Sequence, residues 1–188
     1  NDDFGESVSV SSTMLGGNVR VTNIAVGVPS DDDLGLASGS VYIYSKFYDT
    51  PPPSACGGLG NIKVGEWVQC QKLIPDDGAA YDRFGSSVSI SGDTIVISAP
   101  YNDVPTADAG SAYVFIRNGT SWTQQANLVA ADGAAGDNFG TSVSISGDTI
   151  VVCAYQDDDK GSNSGSAYVF TALATAPQLT HDGSNNMT

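Results

Sequence analysis

Polar and apolar residues alternate strictly over Ser87-Val-Ser-Ile-Ser91, the period-two pattern of a strand with one buried face. Gly92-Asp93 follows, a pair that tolerates positive φ in a two-residue turn, and Thr94-Ile-Val-Ile-Ser98 returns. The pattern predicts a β-hairpin. Its returning strand is apolar at successive positions, so both faces are expected to be covered, as in a sheet packed between two others. A third strand is predicted over Ser111-Ala-Tyr-Val-Phe-Ile116 and a fourth over Trp122-Thr-Gln-Gln-Ala-Asn-Leu-Val129. Four strands make a small antiparallel meander with apolar residues on both faces. Such a sheet cannot bury itself alone, so copies of it must stack.

The copies are present. Phe84-Gly-Ser-Ser-Val-Ser-Ile-Ser-Gly-Asp-Thr-Ile-Val-Ile-Ser-Ala99 is nearly repeated by Phe139-Gly-Thr-Ser-Val-Ser-Ile-Ser-Gly-Asp-Thr-Ile-Val-Val-Cys-Ala154, and a looser copy opens at Phe4-Gly5. Self-similarity at this period indicates propeller blades or another repeat array. It divides the chain into units 1–82, 83–137 and 138–188. The first unit is longer in two places: a longer first turn over Thr13-Met-Leu-Gly-Gly-Asn-Val-Arg-Val-Thr-Asn23, and a cysteine-bearing insertion before its fourth strand. Trp67 and Leu73 hold the places in that strand that Trp122 and Leu128 hold in the next unit.

The Phe-Gly openings, together with Val26-Gly-Val-Pro29, Ile97-Ser-Ala-Pro100 and Val152-Cys-Ala-Tyr155, resemble the FG-GAP repeats of integrin α-subunit propellers and of many secreted microbial and algal proteins. The resemblance implies an all-β chain of three four-stranded antiparallel β-propeller blades, part of a larger propeller, on a secreted or surface protein without catalysis of its own. The calcium-binding repeats of that family carry Asp-x-Asp-x-Asp-Gly between the Phe-Gly strand and the Gly-Ala-Pro strand. Here the tight Ser-Gly-Asp-Thr turn takes that place, so the family's best-known metal site is absent. Cys153 stands where Gly27 and Ser98 stand in the other units and is expected to be a buried, unreactive thiol. The chain begins and ends at the same phase of the repeat, which leads to the expectation of an incomplete ring.

Charge narrows the partners. Seven Lys plus Arg against 21 Asp plus Glu give a net charge of −14, a field that repels phosphate backbones and anionic lipid and leaves divalent cations and basic or neutral partners. The 22 glycines and the scarcity of Leu, Lys and Glu disfavour helices. No apolar run approaches the roughly 18 residues that a membrane-spanning helix needs. Of the three cysteines, Cys56 and Cys70 flank one Gly-rich insertion, and their spacing favours a disulfide worth roughly 3 kcal/mol in the chain-entropy model; two reduced cysteines in a cytosolic protein are the alternative. Asn118-Gly-Thr120 and Asn186-Met-Thr188 fit the glycosylation sequon.

Candidate chemistry is confined to acidic loops. Asp31, Asp32 and Asp33, and again Asp157, Asp158 and Asp159, lie in loops of constant length between second and third strands, each with a following glycine; the middle unit has Asn102, Asp103 and Asp108. Hard oxygen donors on a Gly-containing loop suit Ca²⁺, and the same residues also keep a turn solvated. Asp77 and Asp132, each before Gly in the stretch leading to Phe-Gly, read as turn residues linking the units. His181 is the sole histidine and sits in a polar tail, so neither a Ser-His arrangement nor a histidine metal site can be assembled. The recurring Tyr42, Tyr113, Tyr168, Trp67 and Trp122 are expected to pack between sheets. These features point to an extracellular adhesion or scaffold segment making protein–protein or protein–glycan contacts. The alternatives are an accessory propeller domain of a secreted hydrolase and a structural subunit of a filament or matrix.

Overall fold

The computed structural model describes residues 2–16, 18–52 and 54–171. The first blade pairs β1 (Ser7–Leu15), β2 (Val19–Val28), β3 (Ser40–Phe47) and β4 (Trp67–Leu73) in chain order, all antiparallel. The second pairs β5 (Val88–Ser91), β6 (Thr94–Ala99), β7 (Ser111–Asn118) and β8 (Ser121–Leu128) in the same way. The third consists of β9 (Phe139–Ser146), β10 (Thr149–Ala154) and β11 (Ser166–Thr171). A fourth strand of this blade, like His181 and Asn186, would lie outside the described residues.

Two apolar clusters hold the stack together. Ala25, Val41, Ile43 and Leu73 of the first blade meet Val88, Ile90, Ile95, Ile97, Phe115 and Trp122 of the second. Val96, Ala112, Val114 and Leu128, on the other face of the second blade, meet Val143, Ile145, Ile150, Val152 and Phe170 of the third. The unbroken apolar run of β6 thus faces both neighbours, and Ile95 through Ala99 are all buried.

The first blade departs from expectation in its hairpin. The stretch Thr13–Asn23 is an extension of both strands and not a long turn: Thr13 pairs with Val21, Met14 with Arg20 and Leu15 with Val19. The alternation of Val19 and Val21 continues the buried face, and a third, smaller core forms beneath the extension. It contains Val21, Phe47, Ala55 and Cys56, with Leu15, Val19, Ile62, Val68 and Cys70 packed against it. Cys56, in a short 3-10 turn at Ala55–Gly58, is bonded to Cys70 on β4. The disulfide therefore pins the insertion onto its own blade.

Candidate functional site

The acidic loop of the first blade is closed on itself by a cation from another strand. Asp31 Oδ2 accepts hydrogen bonds from Ser40 Oγ at 2.8 Å and Tyr42 OH at 3.3 Å, and Lys72 Nζ on β4 lies 2.9 Å away. Lys72 also pairs with Asp33. Asp32 Oδ1 accepts the Ala37 N–H at 2.7 Å. Burial raises the Asp31 pKa, but Lys72, Ser40 and Tyr42 outweigh it and hold the carboxyl below the usual carboxylate range. For Lys72, burial likewise opposes the charge, and Asp33, Asp31 and Tyr42 outweigh it, so the ammonium is held above the ordinary lysine value. The Lys72 ammonium thus stands between Asp31 and Asp33, two of the carboxylates expected to face calcium.

The loop of the third blade has the same length and a different neighbourhood. Asp157 Oδ1 accepts the Asp159 N–H at 2.9 Å and Asp158 Oδ1 the Asn163 N–H at 2.5 Å. Tyr168 OH lies 2.7 Å from Asp157 Oδ2 and 2.8 Å from Asp132 Oδ1, so Asp132, from the link between blades, joins the loop. The Asp157 carboxyl is lowered: burial opposes ionisation, and the Asp159 N–H, Tyr168 and Ser166 overcome it. Asp159 is raised, by the charge of Asp157 first and then by Asp132. Among the described residues no three His, Cys, Asp or Glu side chains converge so as to hold a metal ion.

In the middle blade the loop is neutral at its centre. Asn102 donates to Asp82 Oδ2 at 3.0 Å and accepts from Ser111 Oγ at 2.9 Å, while Asp103 Oδ1 accepts the Asp108 N–H at 3.0 Å. Asp82 is buried, and that burial raises its carboxyl pKa. Asp77 accepts from Asn127 Nδ2 at 3.2 Å, which ties the link to the sheet.

Sequence reasoning passed over the inner strands. Their serines point at the next blade and accept its backbone N–H groups: Ser9 Oγ from Ile90 and Ser11 Oγ from Gly92, both at 3.1 Å. One blade on, Ser87, Ser89 and Ser91 do the same for Val143, Ile145 and Gly147 at 3.1–3.2 Å. The Ser-x-Ser-x-Ser spacing carried the signal, since an inner strand on a propeller axis has one edge unpaired and its N–H groups need acceptors.

The Phe-Gly motif sits at the same junctions. Phe84 packs on Tyr113 and Phe115, and Phe139 on Tyr168 and Phe170, in edge-on geometry. Each following glycine has φ above +90° and lies against the preceding blade, where a side chain would strike Val41 Cγ2 at Gly85 and Ser98 Cβ at Gly140, both at 3.1 Å. The model of the FG-GAP repeat matches residues 67–115 and 122–170. The chain belongs to the FG-GAP repeat family. A comparison with curated proteins found no match. Each FG-GAP match runs from the outer strand of one blade through three strands of the next, so the matched unit straddles two sheets. FG-GAP repeats are propeller-type modules for protein–protein contact, generally without catalysis, and the all-β sheets with their inter-blade packing accord with that architecture.

Asn118 is exposed at the β7–β8 turn, and Thr120 Oγ1 of its sequon donates to the Ser54 carbonyl at 3.1 Å. Cys153 is free but only half-buried on β10, where a shielded thiol was expected; no described residue covers that face as the third blade covers Ser98. Trp122 and Tyr113 are buried, whereas Trp67 is exposed beside Lys46, because the first blade has no described sheet on its outer side. No helix among the described residues is long and apolar enough to cross a membrane.

Proposed function

We propose that the chain is a non-catalytic segment of an extracellular adhesion or scaffold β-propeller that works through protein–protein or protein–glycan contacts. The observation that carries this reading is the first blade, where the Cys56–Cys70 bond pins an insertion against an extended hairpin. A disulfide at that place suits an oxidising compartment. Beside it, Arg20 lies over the Tyr48 ring at 4.1 Å from the centroid and Lys46 near both Tyr48 and Trp67. Exposed aromatic rings with cations along their faces form a surface suited to protein partners and to sugar rings.

The experiment is binding of immobilised chain to extracellular matrix proteins and to a glycan array, with Trp67→Ala and the Cys56→Ala/Cys70→Ala pair beside the parent. Retention by the parent and loss in Trp67→Ala is the expected result. Equal, featureless binding by all three counts against the proposal.

A further inference from the structure

The two links between blades share one backbone and differ in the side chains it carries. In each an aspartate is buried, Asp82 or Asp137, and accepts the N–H of Ala79 or Ala134. The residues flanking it donate their N–H groups to the loop of the preceding blade: Tyr81 to the Leu36 carbonyl and Arg83 to that of Ala37, Gly136 to Ala107 and Asn138 to Asp108. All four have left-handed backbone. Tyr81 has φ +74° where Gly136 has +87°, and Arg83 and Asn138 both have +54°.

Gly136 has no Cβ to strain, and Asn138 is buried with its amide donating to the Pro100 and Asp108 carbonyls. Asp3, which precedes the first Phe-Gly, is also left-handed at φ +52°, and it accepts from Ser30 Oγ. Glycine, asparagine and aspartate tolerate this region, and tyrosine and arginine do not. Packing does not offset the cost, since Tyr81 is 60% exposed and Arg83 is exposed as well. Among the described residues no carboxylate pairs with the Arg83 guanidinium, although the chain has 21 acidic residues. It lies instead over the Tyr101 ring, 5.1 Å from the centroid. Tyr101 is exposed too, and it stands where Ser30 and Gln156 stand in the other blades.

We propose that Tyr81, Arg83 and Tyr101 form a docking site for a partner protein that presents a single carboxylate on a loop. The guanidinium takes the carboxylate through paired N–H donors, and the two rings cover the apolar flanks of the loop. The backbone is held ready: Asp82 also accepts from Asn102 Nδ2 at 3.0 Å, which ties the link to the residue after Tyr101. Strain kept in place by such bonds belongs to a prepared site. Charge selects the class of partner. Asp77 lies on the same link, and Asp103 and Asp108 follow Tyr101 on its loop. A sulfated or uronate polymer carries charge on successive sugars and meets these carboxylates within a Debye length of about 8 Å. A protein loop offers one carboxylate among neutral or basic residues.

This site deepens the adhesion reading and rests on it for the existence of a partner. Disulfide-closed peptides displayed on phage are selected on the immobilised parent chain, then measured against Tyr81→Gly/Arg83→Asn, which places the residues of the second link on the same backbone. Selected peptides are expected to share one acidic residue and to bind the double variant about tenfold or more weakly. Converting that acidic residue to its amide is expected to give the same loss, with no further loss when both changes are combined. Tyr81→Gly alone is expected to keep or raise the melting temperature, because the ring is exposed and the backbone strained. Peptides without a shared acidic residue, equal binding to parent and double variant, or a preference of the site for sulfated or uronate oligosaccharides overturn the proposal. So does a fall of more than about 4 °C in Tyr81→Gly, which makes the ring part of the fold. The adhesion reading survives each of these results if retention on matrix or glycan still depends on Trp67.

Discussion

The first and third blades share an inner strand, a Phe-Gly and an Asp triplet, and they use them in opposite settings. In the third blade Phe139 is fully buried against the second blade, while Tyr168 on β11 holds Asp157 of the acidic loop together with Asp132 of the link between blades. In the first blade Phe4 is largely exposed, while the acidic loop is neutralised by Lys72. The comparison teaches that a repeat motif prescribes backbone geometry, and that energetic weight comes from what lies on the far side of the sheet. Identical residues carry large or small shares of stability according to their neighbours.

The largest test of that contrast is truncation of the aromatic. Phe139→Ala removes a fully buried ring and is expected to cost about 3–5 kcal/mol in chemical denaturation, whereas Phe4→Ala is expected to cost under ~1 kcal/mol. Similar losses at both positions would break the comparison. Next comes the disulfide, which is particular to the first blade: Cys56→Ala/Cys70→Ala is expected to cost about 3 kcal/mol. Its hydrogen-exchange signature should be local, with faster exchange in β1, β2 and β4 and little change in β9–β11.

A smaller effect separates the two acidic loops. Lys72→Met leaves Asp31 and Asp33 facing each other without a cation, and since the pair is partly exposed the expected loss is about 1 kcal/mol, reduced by salt. The stability that Asp31 contributes through its lowered pKa is present above its unfolded value of 3.8 and is lost as pH falls through the folded value. In Lys72→Met this acid limb should shrink, as NMR titration of Asp31 can follow directly. The smallest effect has the opposite sign. Asp159 has a raised pKa, so its ionised form is disfavoured in the folded chain above that value, and the penalty is relieved as pH falls through it toward 3.8. Asp159→Asn should therefore raise the melting temperature slightly at neutral pH and leave it unchanged in acid.

Much of this fold was legible in alternation and self-similarity. The strands Thr94–Ala99 and Ser111–Asn118 fall within a few residues of the predicted ones, because successive apolar positions between turn residues leave little choice of register. The Cys56–Cys70 bond was readable from spacing on one insertion. The hairpin extension was not, since Gly16-Gly17-Asn18 reads as one part of a long polar-punctuated loop until Val19 and Val21 are placed on the buried face. Lys72 escaped for a different reason. It reaches Asp31 from a strand far along the chain, and only the pairing of Tyr42 with Lys72 across β3 and β4 brings it there. The inner-strand serines were legible as polar positions but not as acceptors, because their partners lie a full repeat away, 56 residues from Ser87 to Val143 and 81 from Ser9 to Ile90.

The straddling of each FG-GAP match across two sheets bears on how such chains grow. Both matched segments have the same length, and the residues that enlarge the first blade lie before Trp67, outside the matched segments. Duplication or loss of one matched unit would therefore move the outer strand of one sheet together with three strands of the next. Every rearrangement of that kind leaves whole four-stranded sheets behind it and welds neighbouring blades by a strand that belongs to both histories. Copy number can change in single steps without creating a half-built sheet, while ornament accumulates in the gaps between units.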